Sequence, residues 1–296
     1  MSYQRREFLK VTTALASGLA LTTLSGKLAG CGTANRAAGA SEPFGIQLYT
    51  LREDMPKDPK GVLKQLSTFG YQQLESFEHN KLGMFWGMKN TEFKTFVGDL
   101  GMKLVSSHAD INKDFERKAG EAGAIGMNYL ICPYLGPQKS MDDYKRAAEK
   151  FNQSGEICKK NGLRFAYHNH DYSFVPIDGQ MPQDVMMAAT DKDLVDYEMD
   201  IYWVVTAGQD PIQWLNKYPG RFTLVHVKDR MKAAPLTEKE ASVTPGTGSI
   251  NFAEILSVGK KQGLKYNIIE QERYDGTTPL KAAQEGAAFM KALKLA

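Results

Sequence analysis

Residues 195–230 read VDYEMDIYWVVTAGQDPIQWLNKYPGRFTLVHVKDR, and this stretch predicts one strand–helix–strand unit. Residues 195–201 and 222–227 are short, mostly apolar runs with the length of buried strands. Between them, Asp210 and Pro211 mark a helix start, because aspartate caps free backbone N–H groups and proline fits the first helical turn. One helix between two successive strands makes those strands parallel neighbours.

The same unit recurs along the rest of the chain. Six further short apolar runs occupy residues 44–51, 72–77, 103–107, 129–134, 163–167 and 267–270. Helix-ending glycines stand just before four of the strands, at Gly70, Gly101, Gly162 and Gly263. Eight such units predict a single α/β domain, a closed (β/α)₈ TIM barrel. The alternative, a doubly wound open sheet, usually has about five or six strands, and no Gly-x-Gly-x-x-Gly turn follows the first strand here.

The overall composition excludes two broad classes of protein. Hydrophobic residues make up 42% of the 296 residues, which is too many for a disordered chain. The net charge is +3, from 37 basic and 34 acidic residues, and no lysine- or arginine-rich block follows the N-terminal segment. We therefore expect no nucleic-acid partner.

The N-terminal segment has the features of an export signal. Arg5 and Arg6 precede an apolar run over residues 11–24, which is shorter than the roughly 20 residues that a transmembrane helix needs. A basic start, a short apolar centre and small residues before the cleavage site are typical of a signal peptide. The arginine pair is similar to the twin-arginine export motif, and Leu28-Ala-Gly-Cys31 resembles a bacterial lipobox. The alternative is that chance basic residues precede a buried helix.

These features predict three segments: a signal peptide with lipobox at 1–31, a flexible tether at 32–43, and the barrel at 44–296. The protein is then expected in the periplasm, exported by the twin-arginine route and attached to the membrane only through lipid on Cys31. Because phosphorylated sugars are normally retained in the cytoplasm, we expect it to meet free sugars, oxidised sugars or glycosides. Cys132 and Cys158 could form a disulfide there, although the sequence does not show that they meet.

Metal-binding residue types collect where the predicted strands end. All five histidines follow strands, and four of them stand in the predicted barrel mouth, where enzymes of this fold carry their active sites. They are His108, His168, His170 and His226, and the acidic residues Glu75, Asp200 and Glu270 accompany them. Imidazoles and carboxylates on separate strands suit a divalent cation such as Mn²⁺, Co²⁺, Zn²⁺ or Mg²⁺. The sequence thus predicts a site where a metal polarises a carbonyl and a carboxylate or imidazole moves a proton.

Each predicted ligand also has a structural alternative. Asp200 and Glu270 lie in apolar strands, where a carboxylate needs a partner, and that partner is either a metal or a structural arginine or lysine. His226 is either a ligand or a hydrogen-bonded core histidine. His168 and His170 share one face of their strand, so we expect one to bind the metal and the other to contact the substrate.

Four more side chains are candidate substrate contacts. Glu75 and His108 either contact substrate or are structural polar residues. We expect Trp203 to form a pocket wall against a sugar ring. Lys228 is expected to hold a carbonyl or hydroxyl group, unless it pairs with Asp229.

Seven motifs follow one another from about residue 44 to the C-terminus. They are Gly45-Ile-Gln-Leu-Tyr-Thr-Leu-Arg52, Gly70-Tyr, Tyr167-His-Asn-His-Asp171, Asp200-Ile-Tyr-Trp-Val204, Leu224-Val-His-Val-Lys-Asp229, Gly246-Thr-Gly and Ile269-Glu-Gln-Glu272. In this order they resemble the sugar phosphate isomerase/epimerase family, a group of xylose-isomerase-like TIM barrels.

The resemblance implies a metal held by a glutamate, an aspartate, a histidine and a second glutamate on the last four strands. Asp200, His226 and Glu270 match the last three positions, whereas His168 occupies the position of the first glutamate. In the family's epimerases the two glutamates exchange protons with opposite faces of a sugar carbon, so this departure puts a two-carboxylate epimerase in doubt. We expect His168 still to bind the metal, with Glu270 and His168 as the catalytic groups.

Three functions fit these observations. The first is a metal-dependent isomerase or epimerase that transfers a proton next to the carbonyl of a free or oxidised sugar. The second is a metal-dependent lyase or dehydratase acting on a 3-keto-glycoside or an inosose, because its first step is the same. The third is a non-catalytic sugar-binding lipoprotein. In each case the partner is a small sugar, and the chain acts alone or as a homodimer.

Overall fold

A computed structural model of the chain describes residues 42–296. The predicted signal peptide, Cys31 and the tether up to residue 41 lie outside the described residues. Among residues 42–296, no helix combines the length and the apolar character required to span a bilayer.

Eight parallel strands close into a barrel, which confirms the predicted fold and rules out the open sheet. In the order around the barrel, each strand pairs with its neighbours in sequence, and the last strand pairs with the first. The strands are β1 (Gly45–Gln47), β2 (Gln73–Phe77), β3 (Lys103–His108), β4 (Tyr129–Cys132), β5 (Arg164–His168), β6 (Val195–Asp200), β7 (Phe222–Val227) and β10 (Tyr266–Ile269). A two-stranded antiparallel hairpin, β8 (Asp229–Arg230) with β9 (Ser242–Val243), is inserted after β7.

Helices surround the barrel and connect its strands. They are α1 (Pro59–Phe69), α2 (Asn90–Asp99), α3 (Phe115–Ala124), α4 (Met141–Lys160), α5 (Pro182–Ala189), α6 (Ile201–Thr206), α7 (Pro211–Lys217), α8 (Phe252–Lys261) and α9 (Pro279–Ala292). The predicted first strand, residues 44–51, was too long, because the chain turns into a 3₁₀ helix at Leu48–Leu51. The Gln47 side chain accepts a hydrogen bond from the backbone N–H of Tyr49 and so starts this turn.

The helix boundaries follow the local signals in the sequence. Asp210 accepts a hydrogen bond from the backbone N–H of Ile212, at 2.8 Å, and so caps α7. Gly70 ends α1 with a φ of +93°, and Gly263 turns the chain before β10 with a φ of +98°. A side chain at either position would meet the strain of left-handed backbone.

The inward face of β6 carries three carboxylates, because alternate residues of a strand point to the same side. Asp196 lies deepest, where its carboxylate accepts hydrogen bonds from Arg164, at 2.7 Å, and from the Tyr129 hydroxyl, at 3.0 Å. Glu198 and Asp200 follow towards the mouth and have no exposed surface. Asp196 is therefore held by an ion pair with Arg164, whereas Glu198 and Asp200 lie nearer to the mouth.

The segment after the hairpin is held by one buried carboxylate. Asp229 accepts hydrogen bonds from the backbone N–H groups of Gly246, Gly248 and Ile250, at 2.9, 2.9 and 3.1 Å. A Cβ atom added at Gly248 would lie 2.3 Å from the backbone oxygen of Arg230. This close approach explains why glycine stands at that position of the Gly246-Thr-Gly motif.

The two cysteines of the described chain do not form a disulfide. Cys132 and Cys158 are both free and both buried. Burial raises the pKa of each thiol to about 12, so both remain protonated at neutral pH.

Candidate active site

The carboxyl ends of the barrel strands open into a cavity of about 640 Å³. Six of the predicted site residues line it: His108, His168, His170, Trp203, Lys228 and Glu270. The other three, Glu75, Asp200 and His226, have no exposed surface and lie beneath its floor. The pocket has room for a small organic substrate.

The four predicted metal ligands converge at the floor of this pocket. Asp200 Oδ2 lies 3.8 Å from His168 Nε2 and 3.9 Å from His226 Nδ1. His226 Nδ1 in turn lies 3.2 Å from Glu270 Oε2. Atoms that bind one cation at about 2.0–2.2 Å are themselves roughly 3–4 Å apart. Asp200, His226 and Glu270 therefore have the spacing of ligands around a common ion. His168 lies beside this group at Asp200, and it also belongs to a second, deeper group of possible ligands with His108, Glu198 and His226.

One oxygen atom in this group lacks a partner. Asp200 Oδ2 is buried and accepts no hydrogen bond among the described residues. The other oxygen, Oδ1, accepts a hydrogen bond from the backbone N–H of Trp203, at 3.2 Å, and the Asn169 amide holds the Asp200 backbone. Burial raises the pKa of the Asp200 carboxyl despite the nearby Lys228 ammonium. The Lys228 ammonium is 3.8 Å from Oδ2, too far for a hydrogen bond, so this buried oxygen remains costly and a bound cation would remove that cost.

Both imidazoles among the predicted ligands form hydrogen bonds to carboxylates on the side away from Asp200. His168 Nδ1 lies 2.9 Å from Glu198 Oε2, and His226 Nε2 lies 2.7 Å from Glu75 Oε1. Each ring therefore turns its other nitrogen towards Asp200. Burial lowers the pKa of His168 well below its usual value, so that ring is neutral. This pairing of a metal-facing imidazole with a supporting carboxylate is common in metalloproteins.

His226 differs from His168 in its protonation. Burial lowers its pKa, but the carboxylates of Glu198 and Glu270 outweigh burial and hold the pKa well above the usual value. A cation that binds Nδ1 must therefore displace a proton.

Glu75 and His108 form part of a deeper polar layer. Glu75 accepts hydrogen bonds from Gln47 and Ser106, at 2.8 and 2.6 Å. His108 Nε2 lies 2.9 Å from Glu198 Oε2 and 3.2 Å from Glu75 Oε1. The expectation that Glu75 contacts substrate is not met, because it is fully buried and every one of these contacts lies inside the barrel.

Lys228 extends into the pocket beside the metal ligands. Its Nζ lies 2.5 Å from Glu272 Oε2 and 3.3 Å from Glu270 Oε2, and it faces the ring of Trp203 at 5.3 Å. Burial lowers its pKa, but the carboxylates of Glu270 and Glu272 outweigh burial and raise it, so the group stays charged. The alternative that Lys228 pairs with Asp229 was wrong, because the Asp229 carboxylate binds the backbone of the following segment.

Aromatic rings form one wall of the pocket. His170 stacks on Trp203 with ring centroids 5.2 Å apart. The exposed ring of Tyr134 lies perpendicular to the His170 ring, with centroids 5.1 Å apart. Burial lowers the pKa of His170 to about 3, and its Nδ1 has no hydrogen-bond partner among the described residues. As strand alternation predicted, His168 and His170 face the same pocket, while Asn169 points to the Asp200 backbone. The fifth histidine, His79, lies outside the site, where its Nδ1 accepts backbone N–H groups.

Two functional residues were missed by the sequence reasoning. Glu198 supports His168, and Glu272 holds Lys228. Both were detectable in principle, because each stands two residues from a predicted ligand, Asp200 or Glu270, and so faces the same side of the chain.

Comparison with known proteins agrees with this fold. Residues 63–293 match the family model described as xylose isomerase-like TIM barrel. The chain belongs to this family. In that family a closed barrel with a polar mouth is shared by proteins of several activities, so the activity has to be argued from the site.

Three proteins show what this chain is similar to. An inosose dehydratase of Clostridium beijerinckii is 28% identical over 158 residues, 49% of each chain, so the match spans about half the length of that relative. The crystal structure of a sugar phosphate isomerase/epimerase from Parabacteroides distasonis is 28% identical and covers 88% of this chain and 98% of its own, with a TM-score of 0.74. The IolI protein, whose structure has a bound zinc atom, shares the fold at 16% identity over 84% of this chain and 97% of its own, with a TM-score of 0.68.

Proposed function

We propose that this protein is a metal-dependent isomerase that transfers a proton next to the carbonyl group of a free or oxidised sugar. The observation that carries the proposal is the close approach of Asp200, His226 and Glu270 at the pocket floor, with His168 3.8 Å from Asp200. The unpartnered Asp200 oxygen and the mixed imidazole–carboxylate set fit a divalent cation there. When bound, such a cation polarises the substrate carbonyl and acidifies the adjacent C–H bond.

The protein's own side chains would supply the remaining chemistry. Glu270 lines the pocket, and Lys228 and His226 outweigh its burial and lower the pKa of its carboxyl, so it is ionised and able to accept a proton. The Lys228 ammonium donates hydrogen bonds to substrate oxygen atoms. The rings of Trp203 and His170 cover one face of the sugar and exclude water from it.

The site favours chemistry with one base. Across the floor from Glu270, the family's first glutamate position is filled by His168, whose Nδ1 is engaged by Glu198 and whose Nε2 faces Asp200. Glu198 itself is fully buried and does not line the pocket. Proton return from the same carboxylate to a neighbouring carbon isomerises a sugar, whereas exchange between two faces needs a second base.

A second candidate, a lyase, starts from the same proton abstraction. Loss of a hydroxyl or alkoxyl group from the next carbon then gives an unsaturated ketone. The similarity to an inosose dehydratase supports this outcome. The substrates proposed for this lyase, an inosose or a 3-keto-glycoside, carry a leaving group at the required position.

Solvent exchange followed by NMR distinguishes these functions. The metal-loaded protein is incubated in heavy water with ketosugars, an inosose and 3-keto-glycosides. Deuterium incorporation without loss of a group indicates isomerisation, and release of water or an aglycone indicates the lyase. Glu270→Gln should slow exchange by at least about 100-fold, whereas His79→Asn, a histidine change outside the pocket, should leave the rate intact. Sugar binding without exchange in any reaction would contradict both enzymes and favour the sugar-binding protein.

We further propose that the protein acts in the periplasm on a lipid anchor at Cys31. The arginine pair and the Leu-Ala-Gly-Cys sequence support this. Metabolic labelling with a radioactive fatty acid tests it, because Cys31→Ser should lose the label, and labelling that survives this change would contradict the anchor.

A further inference from the structure

We propose that Glu75 and Glu198, joined through His108, are positioning residues that fix which nitrogen of His168 and of His226 carries the ring hydrogen. The nitrogen left bare on each ring would then be the one that faces the metal. This inference rests on the metal site of the proposed function and adds a second layer to it. His108 and Glu198 also form a possible ligand group with His168 and His226, and we assign them to support rather than to the metal.

The interatomic distances separate two layers around the histidines. On the deep side, the nitrogens of His168 and His226 lie 2.9 and 2.7 Å from carboxylate oxygens, which are ordinary hydrogen-bond distances. On the side of Asp200, the other nitrogens lie 3.8 and 3.9 Å from the carboxylate, too far for a hydrogen bond. A neutral imidazole has one N–H, and on His168 only the deep nitrogen has a carboxylate within hydrogen-bond distance, so the hydrogen belongs there. His226 has carboxylates on both sides, because Nδ1 lies 3.2 Å from Glu270 Oε2. A cation bound by Nδ1 and Glu270 would displace that contact and leave the hydrogen on Nε2.

The strand register places each supporting carboxylate where it is needed. Glu198 on β6 is the direct neighbour of His168 on β5, and Asp200 on β6 is the direct neighbour of His226 on β7. Because Glu198 and Asp200 are two residues apart on one strand, they point to the same side at different depths. One strand therefore provides a ligand and the support for another ligand.

Support for His226 comes from the opposite side of the barrel. Glu75 on β2 reaches across to His226 Nε2 on β7. Gln47 on β1 and Ser106 on β3 donate hydrogen bonds to the two Glu75 oxygens and fix their direction. Because both Glu75 oxygens are held by these hydrogen bonds, the carboxylate cannot rotate and keeps the His226 ring in one orientation.

His108 connects the two supports. Its Nε2 lies between Glu198 Oε2, at 2.9 Å, and Glu75 Oε1, at 3.2 Å. Two buried carboxylates this close together would otherwise repel each other. We therefore assign His108 to the positioning layer, although one edge of it reaches the pocket.

The test uses isosteric amide variants and a matched control. In Glu198→Gln the side chain can donate as well as accept, so His168 is free to turn its N–H towards the metal site. We expect Glu198→Gln and Glu75→Gln each to weaken Mn²⁺ binding by about 10–100-fold, the usual effect of losing such a support. Asp196→Asn is the control, because Asp196 is an equally buried carboxylate on the same strand, but it pairs with Arg164. It should leave the Mn²⁺ affinity unchanged.

Affinity is measured on chelator-stripped protein by competition between the protein and a fluorescent chelator for Mn²⁺. If Glu198→Gln and Glu75→Gln bind Mn²⁺ as tightly as the wild type, the positioning role is overturned while the metal site survives. If the wild type itself binds no Mn²⁺, Co²⁺, Zn²⁺ or Mg²⁺, the proposed function fails together with this inference.

Two spectroscopic measurements do not depend on how well Glu198→Gln and Glu75→Gln fold. Long-range ¹⁵N NMR of the wild type loaded with Zn²⁺ should show the hydrogen on Nδ1 of His168 and on Nε2 of His226. The opposite assignment would overturn the proposal. Pulsed EPR of the Mn²⁺ form should count two bound imidazole nitrogens in both the wild type and His108→Gln. Three nitrogens in the wild type and two in this variant would mean that the deep layer itself binds the metal.

Discussion

Asp200→Asn should have opposite effects on the metal-free and the metal-loaded protein. The asparagine keeps an oxygen for the backbone N–H of Trp203, now 3.2 Å from Oδ1, and replaces the unpartnered Oδ2 with an uncharged amide nitrogen. Burial penalises the charged form of Asp200, and the uncharged amide avoids this penalty, which for a buried group without a hydrogen bond is about 1–3 kcal/mol or more. The metal-free variant should therefore unfold at a higher temperature than the metal-free wild type, by about 2–4 °C for each kcal/mol gained in a domain of this size.

The pH dependence of this gain has a definite sign. Burial raises the pKa of Asp200 in the folded protein above its value in the unfolded chain. The folded state then holds its proton more tightly, so the stability of the metal-free wild type falls as the pH rises from the unfolded pKa to the raised one. Asparagine cannot ionise, and its advantage should be larger at pH 8 than at pH 5.

Metal binding should reverse the order of stability. Loss of a charged ligand should weaken the Mn²⁺ affinity by at least about 100-fold. Loss of a residue that only supports a ligand weakens metal affinity by up to about 100-fold, and loss of the ligand itself should cost no less. At a free Mn²⁺ concentration 100 times the wild-type Kd, the ion stabilises the wild type by about 2.7 kcal/mol and the variant by less than about 0.5 kcal/mol.

Differential scanning calorimetry with and without Mn²⁺ measures both effects. Asp196→Asn serves again as control, and it should lower the Tm in both conditions because Arg164 loses its charged partner, while keeping the full Mn²⁺-induced shift. The reasoning is refuted if Asp200→Asn lowers the metal-free Tm, or if it keeps the Mn²⁺-induced shift of the wild type.

Three further substitutions test other parts of the account. Glu270→Gln should reduce the rate of solvent exchange at the sugar by at least about 100-fold, since general-base catalysis contributes about that much, and heavy-water NMR measures it. Trp203→Ala removes a pocket wall, so KM should rise several-fold with a smaller change in kcat. Initial rates over a range of sugar concentrations measure both constants. An unchanged KM would argue against a sugar-facing wall. Gly248→Ala should destabilise the fold by about 1–3 kcal/mol, because the new Cβ would lie 2.3 Å from the Arg230 backbone oxygen. Gly98→Ala is the control and should not destabilise the fold, because there is open space around its Cβ. Urea unfolding measures the free energy of unfolding of both variants.

The barrel was predictable because its signals are local. Short apolar runs, aspartate caps such as Asp210 and helix-ending glycines such as Gly70 all act within a few residues of where they stand. Once eight strands are counted, the fold also places the residues that follow each strand in one mouth. This is why His168, His226 and Glu270 could be grouped from the sequence. His226 and Glu270 are 44 positions apart in the chain, and yet their side chains form a hydrogen bond.

The depth of each residue in the barrel could not be predicted in the same way. Glu75 looked like a mouth residue because its strand ends nearby, but its contact with His226 joins residues 151 positions apart and lies below the pocket floor. Depth depends on the stagger of the strands, and the register between β2 and β3 shifts at Leu74/Glu75. No local pattern in the sequence encodes such a shift.

The central claim is that one divalent cation binds between His168, Asp200, His226 and Glu270. The most direct measurement is anomalous X-ray diffraction from a crystal soaked with Mn²⁺, recorded at the manganese edge. The account predicts one strong peak at the pocket floor, about 2.0–2.3 Å from a nitrogen or oxygen atom of each of the four side chains. A peak bound instead by Glu75, His108 and Glu198, or no peak in the barrel at all, would contradict it.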